Sequence, residues 1–584
     1  MENAEIAQVF YEIADLLEVK GENPFRIRSY RNAALVVEGY PESFNRLYEK
    51  EGEKGLEEIP GIGESIGEKI EEMVTTGRCK FHDELLKELP GGILDILRVG
   101  GVGPKKAGLF YKKLGIKSVE GLEEAAHAGK LSKLPGMGEK SEEKILKAIE
   151  GLRAVSGRFN LSMAVPYAEK LIDYIKKVPG VVEVVPAGSL RRWRESVGDL
   201  DILTTCKDPK KVMDAFVRHP DVKDVVARGE TKSTVVLKAG LQVDLRVLEE
   251  KSFGAALQYF TGSKAHNIAV RDMAKKKGLK ISEYGVFEEK GDKEKWVAGR
   301  TEEEVYETVG LPWIPPELRE NRGEIEAALR GKLPDELDIK DIKGDLHAHT
   351  KESDGANTME EMAEAAIKRG YDYLAITDHS KAVAVAHGLD EKRISAQLKA
   401  IDAYNDKLKK KRKKFRLIKG GEVDIRADGT LDYPDDILEE LDCVVGAVHS
   451  GFTMTSEKMT ERLIKAIRTG RINVLAHPTG RLIGSREPYA VDMEKVMDEA
   501  KKFGVALELN SYPDRLDLND VHLKLAKERG VPIVISTDSH STLHLDNLVF
   551  GIHTARRGWI EKKDVINTRP LKELMKFLKK AKAK

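Results

Sequence analysis

A chain of 584 residues is longer than one hydrophobic core ordinarily serves, so about three or four domains are expected. Its 98 Lys and Arg match 98 Asp and Glu, so there is no global basic field and any nucleic-acid contact must rest on a local stripe. With 41% apolar residues and no apolar run near the roughly 18 residues of a membrane span, a helical membrane protein is excluded. Cys79, Cys206 and Cys443 are scattered and form neither a disulfide framework nor a zinc ribbon. The N-terminus, MENAEIAQVFYEIADLLEVKG, reads as an acidic amphipathic helix without the basic start of a signal peptide, and a cytoplasmic location is the expectation.

The first 150 residues show helical periodicity broken by glycine. IPGIGESIGEKI (59–70), VGGVGPKKAGLF (99–110) and LPGMGEKSEEKI (134–145) each set Gly-x-Gly between a short apolar segment and a helix with early lysines. Backbone N–H groups at such a turn, with the helix dipole behind them, suit a phosphate, and glycine leaves room for it to approach. One such turn is usually a tight connection; three in the same context form a repeat of helical hairpins. Gly61, Gly63, Gly101, Gly103, Gly136 and Gly138 are therefore the candidate DNA-backbone contacts. NPFRIRSYRNAA (23–34) adds three arginines to an aromatic-bearing helix. Residues 1–80 and 81–155 are expected as two helical units.

From 159 to 250 strand patterns take over, in VVEVVPAG, DLDILTTC, STVVLKAG and LQVDLRVL. Asp199 and Asp201 stand two apart, so a strand turns both to one face. Asp244 lies in a second strand that could pair alongside. Three carboxylates on one sheet face repel unless cations sit between them, and oxygen-only ligands suit Mg²⁺ or Mn²⁺ shared with substrate phosphates. Gly188-Ser189 precedes the pair, with Arg191, Arg192 and Arg194 close in sequence.

Gly188-Ser189 with Asp199-x-Asp201 resembles the nucleotidyltransferase signature, and YFTGSKAHN (259–267) resembles the nucleotide-gripping helix of family X DNA polymerases, the DNA polymerase beta group. The resemblance implies that Asp199 and Asp201 bridge two metals, and that Asp244 holds the one beside the primer 3′-OH. It implies that Ser189 and Arg192 contact the incoming triphosphate, that Tyr259, Phe260 and Gly262 border its sugar, and that Asn267 and Arg271 approach the nascent base pair. It extends to PGIGESIGEKI, where Lys69 stands at the Schiff-base lysine of the lyase domain. Lys69 is read either as the nucleophile of a 5′-deoxyribose phosphate lyase or as a plain phosphate contact. The chain departs from the family in having Ser65 for a phosphate-binding Lys, Phe25 for a His, and Gln242 for an Arg. Residues 156–255 are then the palm, and 256–315 the thumb.

Residues 311–341 begin with three prolines and continue with alternating charges, so 316–341 is expected as a linker carrying one helix. Beyond it, apolar runs alternate with helical patterns, which argues for parallel strands in a barrel or a doubly wound sheet. Ten of the fourteen histidines follow residue 343. His347, His349 and Asp354 in GDLHAHTKESDG come first, then His379, Glu422, His449, His477, Asp538 and His540, nearly all closing a strand. Six imidazoles and three carboxylates suit two or three ions of Mn²⁺, Zn²⁺ or Fe²⁺.

The series resembles the PHP (polymerase and histidinol phosphatase) domain, a distorted β/α barrel, here over 342–584. Asp378 is expected to orient ligands, and His387 and Arg481 to touch substrate phosphate. The basic run KLKKKRKK (407–414) is expected to end a helix and complement its dipole.

The expected fold is thus multidomain α/β: helix-hairpin-helix units, a mixed-sheet palm with thumb, and a β/α barrel. The resemblance implies a monomeric repair polymerase acting on gapped or nicked DNA with dNTPs, with no membrane partner. The barrel would supply a 3′→5′ exonuclease and cleavage at abasic sites. Two alternatives stand beside it: a barrel that hydrolyses small phosphomonoesters, and a non-catalytic DNA-end scaffold.

Overall fold

The computed structural model describes residues 1, 3–38, 44–57, 59, 61–90, 92–97, 99, 101–155, 158–290 and 293–582. The N-terminal region is helical, and its core is built on side chains such as Ile6, Phe10, Phe44 and Phe110. The helices Glu64–Thr76, Pro104–Leu114 and Glu139–Val155 each begin after a Gly-x-Gly turn. The first glycine of each turn, Gly61, Gly101 or Gly136, takes φ of +96°, +82° or +75°, a region that other residues enter at a cost of about 1–2 kcal/mol. A Cβ added at Gly63, Gly103 or Gly138 meets nothing within 4 Å, so these turns face outward.

The palm is a five-stranded sheet of β1 (Val181–Pro186), β2 (Asp199–Cys206), β3 (Val222–Arg228), β4 (Lys232–Leu237) and β5 (Gln242–Leu248), in the order β1-β2-β5-β4-β3. The β2–β5 pair is parallel and the others antiparallel. Leu200, Ile202, Val243 and Leu245 are wholly buried, which fixes the register and turns the aspartates to the open face. Strand β3 is exposed from its second residue onward, an edge strand with no apolar alternation for a sequence reading to find.

The thumb joins the helices Phe253–Thr261, Lys264–Lys276 and Glu302–Val309 to an antiparallel sheet of β6 (Leu279–Ser282), β7 (Gly285–Lys290) and β8 (Lys293–Ala298). Segment 316–341 carries the expected helix, Glu324–Leu329, but its flanks are packed and do not form a free linker. Ile325 and Ala328 belong to the thumb core and Leu337 to the barrel core. Arg319 is 0% exposed; it pairs with Glu302, to which Arg191 also donates at 2.7 Å and Trp313 at 3.0 Å. Burial pushes the Glu302 carboxyl up, but Arg319 and Arg191 outweigh it and hold it far below the usual range. Replacing Glu302 by Gln strands a buried guanidinium, and the thumb is expected to lose about 3–5 kcal/mol, seen as an earlier calorimetric transition. An unshifted transition would count against this account. A depressed folded-state pKa means the stabilisation is complete above the ordinary carboxylate pKa and fades as pH falls below it.

Seven parallel strands in sequential order form the C-terminal barrel: β9 (Gly344–Asp345), β10 (Tyr373–Ile376), β11 (Arg416–Asp424), β12 (Cys443–Ala447), β13 (Val474–Leu475), β14 (Ala506–Asn510) and β15 (Ile533–Ser536). A bridge between Ala348 and Ser539 joins the chain beyond β9 to the chain beyond β15, closing the C-terminal mouth. Lys407, Lys409 and Lys410 end the helix Glu391–Lys410, ahead of β11 and so at the opposite end of the barrel from Glu422.

Candidate active sites

Two acidic centres occupy separate units. In the palm, the parallel register sets Asp201 opposite Asp244, with Asp199 two residues before Asp201. Gly188 (φ +61°) lies so close that a Cβ there would meet Asp201 Oδ2 at 2.5 Å, so only glycine lets the chain turn beneath the carboxylate. Burial first, then the charges of Asp199 and Asp244, pushes the Asp201 carboxyl up to about 6. Asp244 accepts from Thr234 Oγ1 at 2.6 Å and pairs with Lys232 at 2.7 Å. Crowded carboxylates with a raised pKa are the donor set that a divalent cation relieves.

The nucleotide candidates surround this face. Arg192 pairs through Nε with Glu320 at 3.1 Å and donates to the Thr261 carbonyl. Tyr259 and Phe260 meet edge to face at 5.1 Å, and Arg246 lies 4.4 Å over the Phe260 ring. Gly262 (φ +70°) passes the Arg192 guanidinium, which a Cβ would meet at 3.2 Å. Asn267 is 7% exposed; its amide accepts from Gln258 at 2.8 Å and donates to the Tyr259 carbonyl at 2.7 Å. It therefore braces Tyr259 in this conformation, and Arg271 donates at 3.3 Å to the carbonyl of Asn267. Lys69 stands apart in the N-terminal region, where Nζ donates to the Ser65 carbonyl at 2.8 Å and hydroxyl at 3.1 Å.

At the barrel mouth all nine singled-out residues meet. Three sets place their ligand atoms within 4.8 Å of one another: His349, Asp354, His379 and His540; His347, His349 and Glu422; His379, Glu422 and His449. Glu422 joins them, 2.7 Å from His379, 3.0 Å from His477 and 3.2 Å from His449. Asp538 closes the ring at 3.1 Å from His349. Among the described residues, His347 Nε2, His349 Nδ1 and His477 Nδ1 are buried with no hydrogen-bond partner, and His379 Nδ1 faces Glu422 Oε2 at 2.7 Å. Buried ring nitrogens left without partners among crowded carboxylates fit metal ions. Burial, then the neighbouring rings of His540 and His379, holds His349 below the ordinary imidazole range, in the neutral form that ligates.

The supporting acids differ from the one expected. Glu508 accepts from His347 Nδ1 at 2.7 Å and from the His477 amide at 2.7 Å, and Asp424 lies 3.1 Å from His449 Nδ1. Asn510 donates to Asp538 at 2.9 Å. These fix ring orientation and tautomer. Neither acid stood out in the sequence, although each lies on an apolar strand where a buried acid needs a partner. Asp378 instead accepts from Thr350 and Ser353, tying down the loop that carries Asp354. His387 is exposed. Arg481 pairs with Glu195 of the palm at 2.8 Å and donates to the Arg515 and Leu516 carbonyls, so here it joins two units and does not line the mouth as a free cation.

Family models match four stretches of the chain: a helix-hairpin-helix domain over 1–79, a SAM-like helix-hairpin-helix tandem over 93–150, the DNA polymerase beta thumb over 256–320, and the PHP domain over 345–511. The chain is 40% identical over 583 residues to the DNA polymerase/3′-5′ exonuclease PolX of Bacillus subtilis (strain 168), covering 99% of this chain and 100% of that protein. A probable phosphatase of Thermoanaerobacter sp. (strain X514) is 29% identical over 251 residues, 41% of this chain and 96% of its own length. A probable phosphatase of Shewanella oneidensis is 29% identical over 212 residues, 34% of this chain and 77% of its own length. The matched family models and a relative 40% identical along the full length agree, and the chain belongs to the family X DNA polymerases with helix-hairpin-helix units and a C-terminal PHP domain.

Proposed function

We propose that this protein fills short DNA gaps in its palm and removes 3′-terminal nucleotides in its PHP barrel. The observation that carries the reading is that both acidic centres are complete in a chain related along its full length to a polymerase/exonuclease. Asp199, Asp201 and Asp244 would hold Mg²⁺ or Mn²⁺; the nine barrel residues would hold two or three ions of Mn²⁺, Zn²⁺ or Fe²⁺. Such ions sharpen an oxygen nucleophile and stabilise charge on the leaving oxygen. The chain's own part is to hold substrate. Ser189 and Arg192 bind the triphosphate, Tyr259 and Phe260 shape the sugar pocket, and the outward glycine turns grip the DNA backbone. The substrates are gapped or nicked DNA and dNTPs, taken by a monomer. Cleavage at abasic sites would use the same barrel centre. Lys69, whose Nζ donates to the Ser65 carbonyl and hydroxyl, would serve either as a plain phosphate contact or as the nucleophile of a 5′-deoxyribose phosphate lyase.

A second reading, a phosphatase for small molecules, draws on the likeness of part of the chain to probable phosphatases. Those relatives match only 41% and 34% of this chain, which also carries helix-hairpin-helix units. The test offers full-length protein and Mn²⁺ a gapped duplex with a 5′-labelled primer, with and without dNTPs, and separately p-nitrophenyl phosphate. The primer should lengthen to the end of the gap with dNTPs and shorten without them. Hydrolysis of the small ester with no shortening would replace the exonuclease reading by the phosphatase one.

A further inference from the structure

The loop after Gly188-Ser189 is not held by the palm alone. Arg192 and Trp193 lie against the barrel helix Leu548–Arg557, which turns Phe550, His553 and Arg557 to them from one face, at i, i+3 and i+7. The His553 ring stacks on Trp193 with centroids 3.6 Å apart and planes 5° from parallel, and Phe550 meets the same indole edge-on at 6.2 Å. Trp193 takes φ of +52°, a backbone state that persists only where its surroundings over-determine it. Arg557, 4% exposed, donates through Nη1 to the carbonyl oxygen of Arg192 at 2.6 Å and to Glu320 at 3.0 Å, and through Nη2 to Asp520 at 2.6 Å. Glu320 accepts from Arg192 Nε at 3.1 Å with Arg194 at 3.9 Å, and Arg322 shares Asp520 at 2.7 Å. One barrel guanidinium therefore secures both the main chain of Arg192 and the carboxylate that aims its side chain.

We propose that Arg557 is a positioning residue for the incoming nucleotide, and that the PHP barrel thereby completes the polymerase's triphosphate site. The proposal rests on the reading of Ser189 and Arg192 as triphosphate contacts. Ordering a loop on ligand binding costs roughly 1–2 kcal/mol per residue fixed, and a loop ordered in advance removes that cost from the binding step. The effect falls on nucleotide affinity, because Arg557 reaches no group of the aspartate centre, where bonds are made and broken.

The test is steady-state filling of a one-nucleotide gap by the full-length protein, with dNTP varied and 3′ trimming measured on the same preparations. Arg557→Gln should raise KM for dNTP about ten-fold, with kcat and trimming within about two-fold. Arg557→Lys should recover part of the loss, because an ammonium can replace one of the bonds. Arg192→Ala isolates the underlying reading: an unchanged KM there would refute the triphosphate assignment itself. A raised KM for Arg192→Ala beside an unchanged KM for Arg557→Gln overturns the positioning role alone. If Arg557→Gln fails to fold, His553→Ala decides. Loss of the stack should change Trp193 fluorescence and raise KM in the same direction, and an unchanged KM rejects the proposal.

Discussion

Glu422→Gln is expected to reduce 3′ trimming in Mn²⁺ by about three orders of magnitude, or ~4 kcal/mol of transition-state stabilisation, while gap filling stays within about two-fold. The two side chains have the same shape, so packing around the buried Glu422 side chain is preserved. What changes is charge: Glu422 lies within 3.6 Å of His347, His349, His379, His449 and His477. Burial alone would push this carboxyl up; the surrounding imidazoles hold it well below the ordinary range, so a full negative charge is available to ions there. Removing it leaves cations facing neutral donors at the centre of the cluster. The measurement is primer shortening without dNTPs, with bound metal counted by elemental analysis. Trimming at the wild-type rate with full metal content would remove the cluster from the reaction.

Asp244→Ala is expected to do the converse, lowering primer extension by about three orders of magnitude and leaving trimming intact. Asp244 sits in register with Asp201 on the parallel strand pair and is fixed by Thr234 at 2.6 Å. Its loss removes one of three carboxylates from the face where the primer terminus must be activated. The neighbours in β4 and β5 keep their apolar packing, so the palm should fold. Single-turnover extension of a gapped primer measures the loss. Extension within about ten-fold of wild type would show that Asp199 and Asp201 suffice, and the assignment of Asp244 would fall.

The two variants form a cross-check, since each should spare the activity that the other destroys. That expectation concerns chemistry alone. The palm and barrel are joined through Arg557, Arg481 and the Trp193–His553 stack, so a substitution at Arg557 is expected to reach nucleotide affinity in the palm from the barrel side while trimming is spared.

The candidate ligands of the barrel were legible because nearly every one closes an apolar run, Asp354 in its polar loop being the exception. The palm aspartates were legible because they stand two apart at the start of a strand, with Leu200 and Ile202 marking its buried face. Glu508 and Asp424 escaped notice. Glu508 lies inside β14 and Asp424 ends β11 two residues after Glu422, and only the fold brings His347 and His449 close enough to justify a buried acid. The segment 316–341 misled because prolines and alternating charges resemble a solvated linker. Its Arg319 and Glu324 are buried because Glu302 pairs with the first and His266 hydrogen-bonds the second, 17 and 58 residues away in sequence.

Local pattern marked the candidate groups of this protein: glycine turns before helices, aspartates two apart on a strand, and histidines at strand ends are rules of one to four residues. Their repetition along the chain is what gave them a chemical meaning. The tertiary structure alone decided which acids steer the metal-binding rings, and that a barrel helix braces the loop of Ser189 and Arg192. Those facts depend on pairing of charges across hundreds of residues. Desolvation makes a buried charge tolerable only beside a partner, and proximity in space is not written in sequence order.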